Sequence, residues 1–353
     1  MKALGSQPNP PSWGLVRAGE RNLDLNQAYN YPDAAGSGVT VYVVDTGIDV
    51  THPEFEGRAT WGNTACSGCA SKDDNDHGTH CAGTIGGKTF GIAKKVKLVA
   101  VKVLDAQGSG SDADVIAGIN WAANAAKSSG KPGVISMSLG GGKSDTLDQA
   151  VKAAIAGGVT FAVAAGNDST QDQQADACTG SPSGVAEAIV VGATDDTDTR
   201  AYFSDTGKCL SIFAPGVNIL SAKPGGGSQS MDGTSMATPH VAGVAAIVLS
   251  QNPSLTPAQV KAAIVNGATA GKVSDPGNGS PNKLLFNAVI GSASTSSTTT
   301  ASSTKTTSTT TKSSTTTKSS STTTKSTTKT TTKSTSTATP TPTDTCPWWA
   351  WWC

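Results

Sequence analysis

The chain has 353 residues, with 26 basic and 26 acidic side chains and a formal net charge of zero. That balance is uneven: residues 291–353 hold six Lys and one Asp, leaving 20 basic and 25 acidic side chains upstream, a mildly acidic body that gives nucleic-acid binding no support. No stretch reaches the roughly 18 apolar residues of a membrane span, and the roughly 290 residues before the tail are enough for one large core.

Residues 1–11 lack the apolar centre of a signal peptide. Beyond them, apolar runs near 39–44, 96–103, 134–138, 159–165 and 188–193 predict strands, and helical patterns fall near 77–87, 112–126, 144–157, 234–249 and 256–266. Val115, Ile116, Ile119 and Ala122 make one inward helical stripe, and Leu255-Thr256-Pro257 opens the last helix with proline in its first turn. Alternation of this kind predicts an α/β fold in three layers, a mostly parallel sheet with helices on both faces.

Three stretches carry chemistry. The run from Val39 to Val44 ends at Asp45-Thr46-Gly47, which places a carboxylate at the C-terminal edge of a buried strand, where open α/β sheets bind ligands. Asp73-Asp74-Asn75-Asp76-His77-Gly78-Thr79-His80-Cys81-Ala82-Gly83 opens a small-residue helix with a histidine in its first turn. Gly233-Thr234-Ser235-Met236-Ala237-Thr238-Pro239 presents a serine on a glycine turn before a long apolar helix, whose N-terminus favours developing negative charge. A serine hydroxyl needs a neutral imidazole as base and a carboxylate to hold that ring, and Ser235, His77 and Asp45 supply these roles. The rival is a zinc site on His77, His80, Cys66, Cys69 and Cys81, which lacks the His-Glu-x-x-His pattern. His52 and His240 read as packed structural histidines.

These three motifs resemble the signatures of the subtilisin-like serine proteases, and most nearly the proteinase K branch. Trp13-Gly14-Leu15, His52-Pro53-Glu54-Phe55, Val101-Lys102-Val103-Leu104-Asp105, Ser138-Leu139-Gly140-Gly141, Val163-Ala164-Ala165-Gly166-Asn167 and Phe213-Ala214-Pro215-Gly216 extend the resemblance over residues 8–290. It implies a subtilisin-like peptidase domain over residues 1–290, a secreted extracellular endopeptidase of broad specificity and a monomer. Asn167 then donates its amide to the oxyanion, which excludes a glycan at the sequon Asn167-Asp168-Ser169. Substrate peptide is expected to lie as an added strand between Gly108-Ser109-Gly110 and Ser138-Leu139-Gly140, with Ala164-Ala165-Gly166 as the small-residue wall of the S1 pocket. The resemblance also implies a signal peptide and an inhibitory propeptide ahead of this sequence, which begins near a mature N-terminus.

Cys178 and Cys209 match a disulfide of some relatives, Cys66–Cys69 and Cys346–Cys353 are short-range pairs, and Cys81 matches a free thiol. The chemistry requires no cofactor. Structural calcium is a weaker implication, with carbonyls of Ala186 and Ala188 as ligands; Ser211 stands where the family has a carboxylate, and Asp195, Asp196 and Asp198 could compensate.

From 291 to 345 the composition turns to Ser, Thr and Lys with a closing Thr339-Pro340-Thr341-Pro342, a disordered and O-glycosylated linker by composition. Residues 346–353, Cys-Pro-Trp-Trp-Ala-Trp-Trp-Cys, hold four of the seven tryptophans, an arrangement suited to stacking on the sugar rings of polysaccharide or cell wall or to insertion at a membrane surface.

Overall fold

The structure, a computed structural model, describes residues 4–287. The linker 291–345, the Trp-rich segment 346–353 and the expected Cys346–Cys353 pair lie outside the described residues. In chain order the elements are β1 (Leu4–Gln7), α1 (Trp13–Gly19), β2 (Tyr29–Pro32), β3 (Thr40–Asp45), β4 (Ala59–Thr64), α2 (His77–Gly86), β5 (Lys97–Lys102), α3 (Asp112–Ser129), β6 (Gly133–Met137) and α4 (Asp145–Ala156). They continue with β7 (Thr160–Ala164), β8 (Ile189–Thr194), β9 (Ile212–Pro215), β10 (Ile219–Ala222), β11 (Ser228–Met231), α5 (Thr234–Gln251), α6 (Pro257–Gly267), β12 (Thr269–Ala270) and β13 (Lys283–Leu284).

Nine strands form one sheet in the order β12-β13-β9-β8-β7-β6-β3-β5-β4, parallel throughout except for the β12–β13 pair. Every residue of β3, β6, β7 and β8 is buried, as expected for strands covered on both faces. Successive side chains of β3 then serve opposite layers. Val41 and Val43 join the cluster built with α2, α5 and α6, whereas Tyr42 and Val44 join the cluster built with α3 and α4. The three-layer expectation is therefore met.

The order of strands reverses at β3, with β5 and β4 on one side and β6 to β9 on the other. A crevice opens at the carboxyl ends of strands at such a switch point. The last residue of β3 and the positions following β6 and β7 accordingly bring Asp45, Ser138 and Asn167 to the same edge. Behind them runs α5, buried on all sides from Thr234 to Leu249, as a helix apolar around its whole circumference must be.

The predicted strands and helices all appear. The sequence pattern did not announce β1 with β2, β4, or the short strands β9 to β13. The Cys66–Cys69 and Cys178–Cys209 disulfides are present, and Cys81 is a buried free thiol. Closing the 31-residue separation between Cys178 and Cys209 stabilises the fold by about 3 to 4 kcal/mol in the chain-entropy account.

One fastening joins the N-terminal helix to a distant loop. Arg17 of α1, 1% exposed, makes a bidentate ion pair with Asp198, at 2.6 and 2.9 Å. Removing one partner of such a buried pair strands the other charge in a low-dielectric setting. Arg17→Met is expected to lower the unfolding free energy by about 3 to 5 kcal/mol. Adding Asp198→Asn, which removes the stranded charge and tolerates the φ of 64° there, should restore part of the loss; denaturant titration of both variants measures this.

Candidate active site

Asp45 ends β3 fully buried, and His77 opens α2 with 5% of its surface exposed. His77 Nδ1 lies 2.7 Å from Asp45 Oδ1, which also accepts from the Thr46 N–H at 2.7 Å. The hydrogen bond to the carboxylate assigns the proton to Nδ1 and leaves Nε2 as the basic nitrogen. Burial is the largest single influence on the ring and favours its neutral form, but Asp45 together with Cys81 outweighs it and raises the His77 pKa well above 6.5.

A polar scaffold holds the two elements together. Thr46 Oγ1 donates to Asp73 Oδ1 at 2.9 Å and accepts from Gly78 N at 2.9 Å. The other oxygen of Asp73 accepts from Thr79 N and Thr79 Oγ1. Lys102, fully buried at the end of β5, donates from Nζ to Thr46 O at 2.7 Å and to Asp74 Oδ1 at 2.8 Å. Gly78 is required by closeness alone, since a Cβ there would lie 2.0 Å from the Gly47 carbonyl oxygen.

Ser235 is the second residue of α5 and is presented by Gly233, whose φ of 147° is a conformation that side chains other than glycine rarely adopt. Four residues further on, Pro239 has no N–H to close the helical bond to the Ser235 carbonyl. That carbonyl instead accepts from Ser138 Oγ at 2.8 Å and from the Cys81 thiol at 3.5 Å. Ser235 Oγ returns a hydrogen bond to Ser138 O at 3.0 Å. Ser235 is thus clamped reciprocally to the end of β6, with Cys81 packed between it and His77, 4.0 Å from Nδ1.

Asn167 Oδ1 accepts from both Thr234 N and Thr234 Oγ1 at 2.9 Å. Because a backbone N–H can only donate, the amide oxygen must face α5, and its NH₂ group faces the cleft. His77, Asn167 and Ser235 line one cleft of about 320 Å³ with Asn75, Met231, Asp232 and Met236. A basic imidazole, a hydroxyl at a helix N-terminus and an amide donor in one cleft suit attack on a carbonyl and stabilisation of the oxyanion formed.

Gly108 and Gly110 line a second cleft of about 250 Å³ together with Ser138, Leu139 and Gly140, so the two expected substrate segments border one cleft. Ser109, between the two glycines, is tied by its N–H to Asp105 Oδ1. Ala165 lines a third, smaller recess, Gly166 follows it with a φ of 121°, and Ala164 is wholly buried in β7. Asp205 Oδ1 accepts from Asp168 N, Ser169 N and Ser169 Oγ, fixing the loop after Asn167. Burial first, and Asp168 second, push the Asp205 carboxyl up to about 6.

The remaining histidines are packed structurally. His80 Nε2 bonds the Ile219 carbonyl at 2.9 Å and His240 Nδ1 bonds the Met236 carbonyl at 2.9 Å; burial lowers both to about 4. Cys66 and Cys69 are bonded to each other, which removes them from the zinc alternative.

The calcium expectation is not met by the residues present. The Ala186 and Ala188 carbonyls both accept from Lys261 Nζ at 2.7 Å, and Ser211 Oγ accepts from Val190 N. Asp195 Oδ1 closes its own turn on Thr197 and Thr199, Asp198 is committed to Arg17, and Asp196 is exposed. Sequence reasoning also assigned no role to Asp73, Thr46 or Lys102. A lysine inside the apolar run from Val99 to Leu104 was the one signal that could have exposed the last.

Comparison with known proteins agrees with this geometry. The subtilase family matches residues 36–284. A subtilisin-like serine protease, Pen ch 18 of Penicillium rubens, is 47% identical over 305 residues, covering 80% of this chain and 60% of its own length. An extracellular serine proteinase of Thermus sp. strain Rt41A is 50% identical over 281 residues, covering 79% of this chain and 66% of its own. A solved cold-adapted subtilisin-like serine proteinase superposes with a TM-score of 0.73 at 47% identity, over 78% of this chain and 97% of that one. The chain therefore spans about 60% of the length of the Penicillium relative.

Cys81 touches both the Ser235 carbonyl and His77, so a heavy group on its sulfur would displace both. Burial raises the thiol pKa, which makes the reaction slow. Prolonged treatment with a mercurial is expected to abolish labelling of Ser235 by a fluorophosphonate, and Cys81→Ala should remain labelled after the same treatment.

Proposed function

The chain belongs to the subtilase family, and from that premise we propose that it is an extracellular serine endopeptidase of broad specificity acting through an acyl-enzyme on Ser235. The observation that carries this reading is the 2.7 Å bond from the His77 ring to the buried Asp45 carboxylate, in the cleft that Ser235 and Asn167 share.

In the first half of the reaction Ser235 Oγ leaves the Ser138 carbonyl, gives its proton to His77 Nε2 and attacks the peptide carbonyl carbon. The carbonyl π-electrons move to oxygen. That oxyanion is stabilised by the Asn167 NH₂ and by the N–H of Ser235, which lies within the first turn of α5, beyond the reach of the helical ladder. As the C–N bond breaks, His77 hands the proton to the leaving amine and an ester remains on Ser235. Water then repeats the sequence, its proton passing to His77 and back to Ser235 Oγ as the acid departs. Asp45 keeps its charge throughout and balances the imidazolium.

Breadth of specificity is supported by the walls of the groove. Gly108, Gly110, Gly140, Gly141 and Gly142 offer backbone more than side chain, and main-chain pairing of an added strand makes little demand on sequence. An inhibitory propeptide is the expected partner for the same groove. Secretion is supported by the likeness to the Thermus relative, an extracellular serine proteinase.

The Ser, Thr and Lys-rich linker and Trp-rich end are proposed to hold the enzyme on insoluble polysaccharide, since four indoles within eight residues suit stacking on sugar rings. Deleting residues 291–353 should leave peptide turnover intact and reduce retention on chitin or cell wall; unchanged retention rejects this role.

The catalytic reading is checked by kinetics. Fluorophosphonate labelling should vanish in Ser235→Ala. Asn167→Ala is expected to lower kcat by about 10²- to 10³-fold with KM little changed, the range known for the corresponding donor of a subtilisin. Asp45→Asn should lower kcat by about 10⁴-fold. Because His77 must be neutral to accept a proton and its pKa is raised, activity should fall as pH drops through a midpoint above 6.5. A midpoint at or below that value would contradict the assignment.

A further inference from the structure

Lys261 is an α6 side chain doing something a surface lysine does not ordinarily do. Its ammonium lies 2.7 Å from Ala186 O and 2.7 Å from Ala188 O, carbonyls of the segment between β7 and β8, 75 and 73 residues away in sequence. Two main-chain oxygens two residues apart and turned toward a common point form a cation-binding arrangement, and hard cations are drawn to such oxygens. Here the charge at that point is covalently attached. Burial pushes the Lys261 pKa down, and the Glu187 carboxylate pulls it back, so the charge sits on a partly desolvated group with a counter-charge beside it.

A divalent ion does not fit alongside. To coordinate both carbonyls it would have to sit where the ammonium now sits, or within repulsive distance of it. Calcium also takes six to eight oxygens, carboxylates among them. The neighbouring position 211 is a serine, neutral and 6% exposed, whose hydroxyl accepts from Val190 N.

We propose that Lys261 is a built-in cation that takes the place of a divalent ion at the Ala186 and Ala188 carbonyls and fastens α6 to the segment leading into β8. The consequence is physical. A bound ion stabilises by an amount that depends on its free concentration, and a chelator removes it. A tethered ammonium has no such dependence, and the join it makes persists in calcium-free medium.

The test is thermal unfolding at one scan rate, in calcium chloride and in chelator, on full-length protein carrying Ser235→Ala so that self-digestion plays no part. Lys261→Met keeps the aliphatic stem and removes the charge. It is expected to lower Tm by about 2 to 6 °C, by the same amount in calcium and in chelator. Adding Ser211→Asp to Lys261→Met supplies the missing carboxylate and vacates the ammonium position; this double variant should acquire a calcium-dependent rise in Tm larger than that of the parent. Crystals of the parent soaked in calcium should show Lys261 in place on both carbonyls. An ion between Ala186 O and Ala188 O with the lysine displaced would overturn the proposal. So would an unchanged Tm in Lys261→Met, or a double variant with no added calcium response.

Discussion

Pro239 is the residue on which the geometry of the site turns. By withholding one N–H it leaves the Ser235 carbonyl without its helical partner inside a helix buried on every side, and an unpaired carbonyl there would cost about 1 to 3 kcal/mol. The structure satisfies that oxygen with Ser138 Oγ and the Cys81 thiol, one from the end of β6 and one from α2. The defect in α5 therefore becomes the point at which three elements are tied together, and the serine carrying the hydroxyl is the residue so tied.

The other functional groups reach the same point by an equally local logic. Asp45 and Asn167 stand at the carboxyl ends of parallel strands, Asp45 on β3 where the strand order reverses and Asn167 just after β7, and each is oriented by a main-chain N–H group. Thr46 N fixes the carboxylate, and Thr234 N fixes the amide. Neither side chain depends on a flexible partner for its direction. The Ser235 hydroxyl rests on the Ser138 carbonyl, the contact it leaves in the proposed attack.

Much of this was legible before the structure. Strands buried on both faces, such as β3 and β7, announce themselves as continuous β-branched runs, and α5 by a long run of small apolar residues. Asp45, His77 and Ser235 were legible because each sits at the end of such a run with glycines required by close approach, as the 2.0 Å clearance at Gly78 makes plain. What escaped was of two kinds. Edge strands such as β4 and β11 carry Thr, Asn, Ser and Gln, and their periodicity is too weak to separate from a loop. Long-range polar contacts escaped for a different reason: the reach of a lysine across 75 residues, or the bond from Thr46 to Asp73 across 27, leaves no trace in local spacing. The calcium expectation found no support on that account, because resemblance located the carbonyls but could not see the lysine that approaches them.

Three buried or half-buried cations share one task. Arg17 joins α1 to the loop at Asp198, Lys102 joins the turn after β3 to Asp74, and Lys261 joins α6 to the carbonyls before β8. Each bridges segments distant in sequence, at places where the chain leaves regular structure and main-chain or carboxylate oxygens would otherwise gather negative charge. Desolvating these charges is costly, and only full pairing offsets it. The return is a set of joins whose strength does not vary with the ionic composition of the medium, as a join through a free ion does. Two of the three lie remote from the cleft. The third, Lys102, holds Thr46 and through it Asp45, so the same device that secures the periphery of the fold also sets the position of the carboxylate on which the imidazole depends.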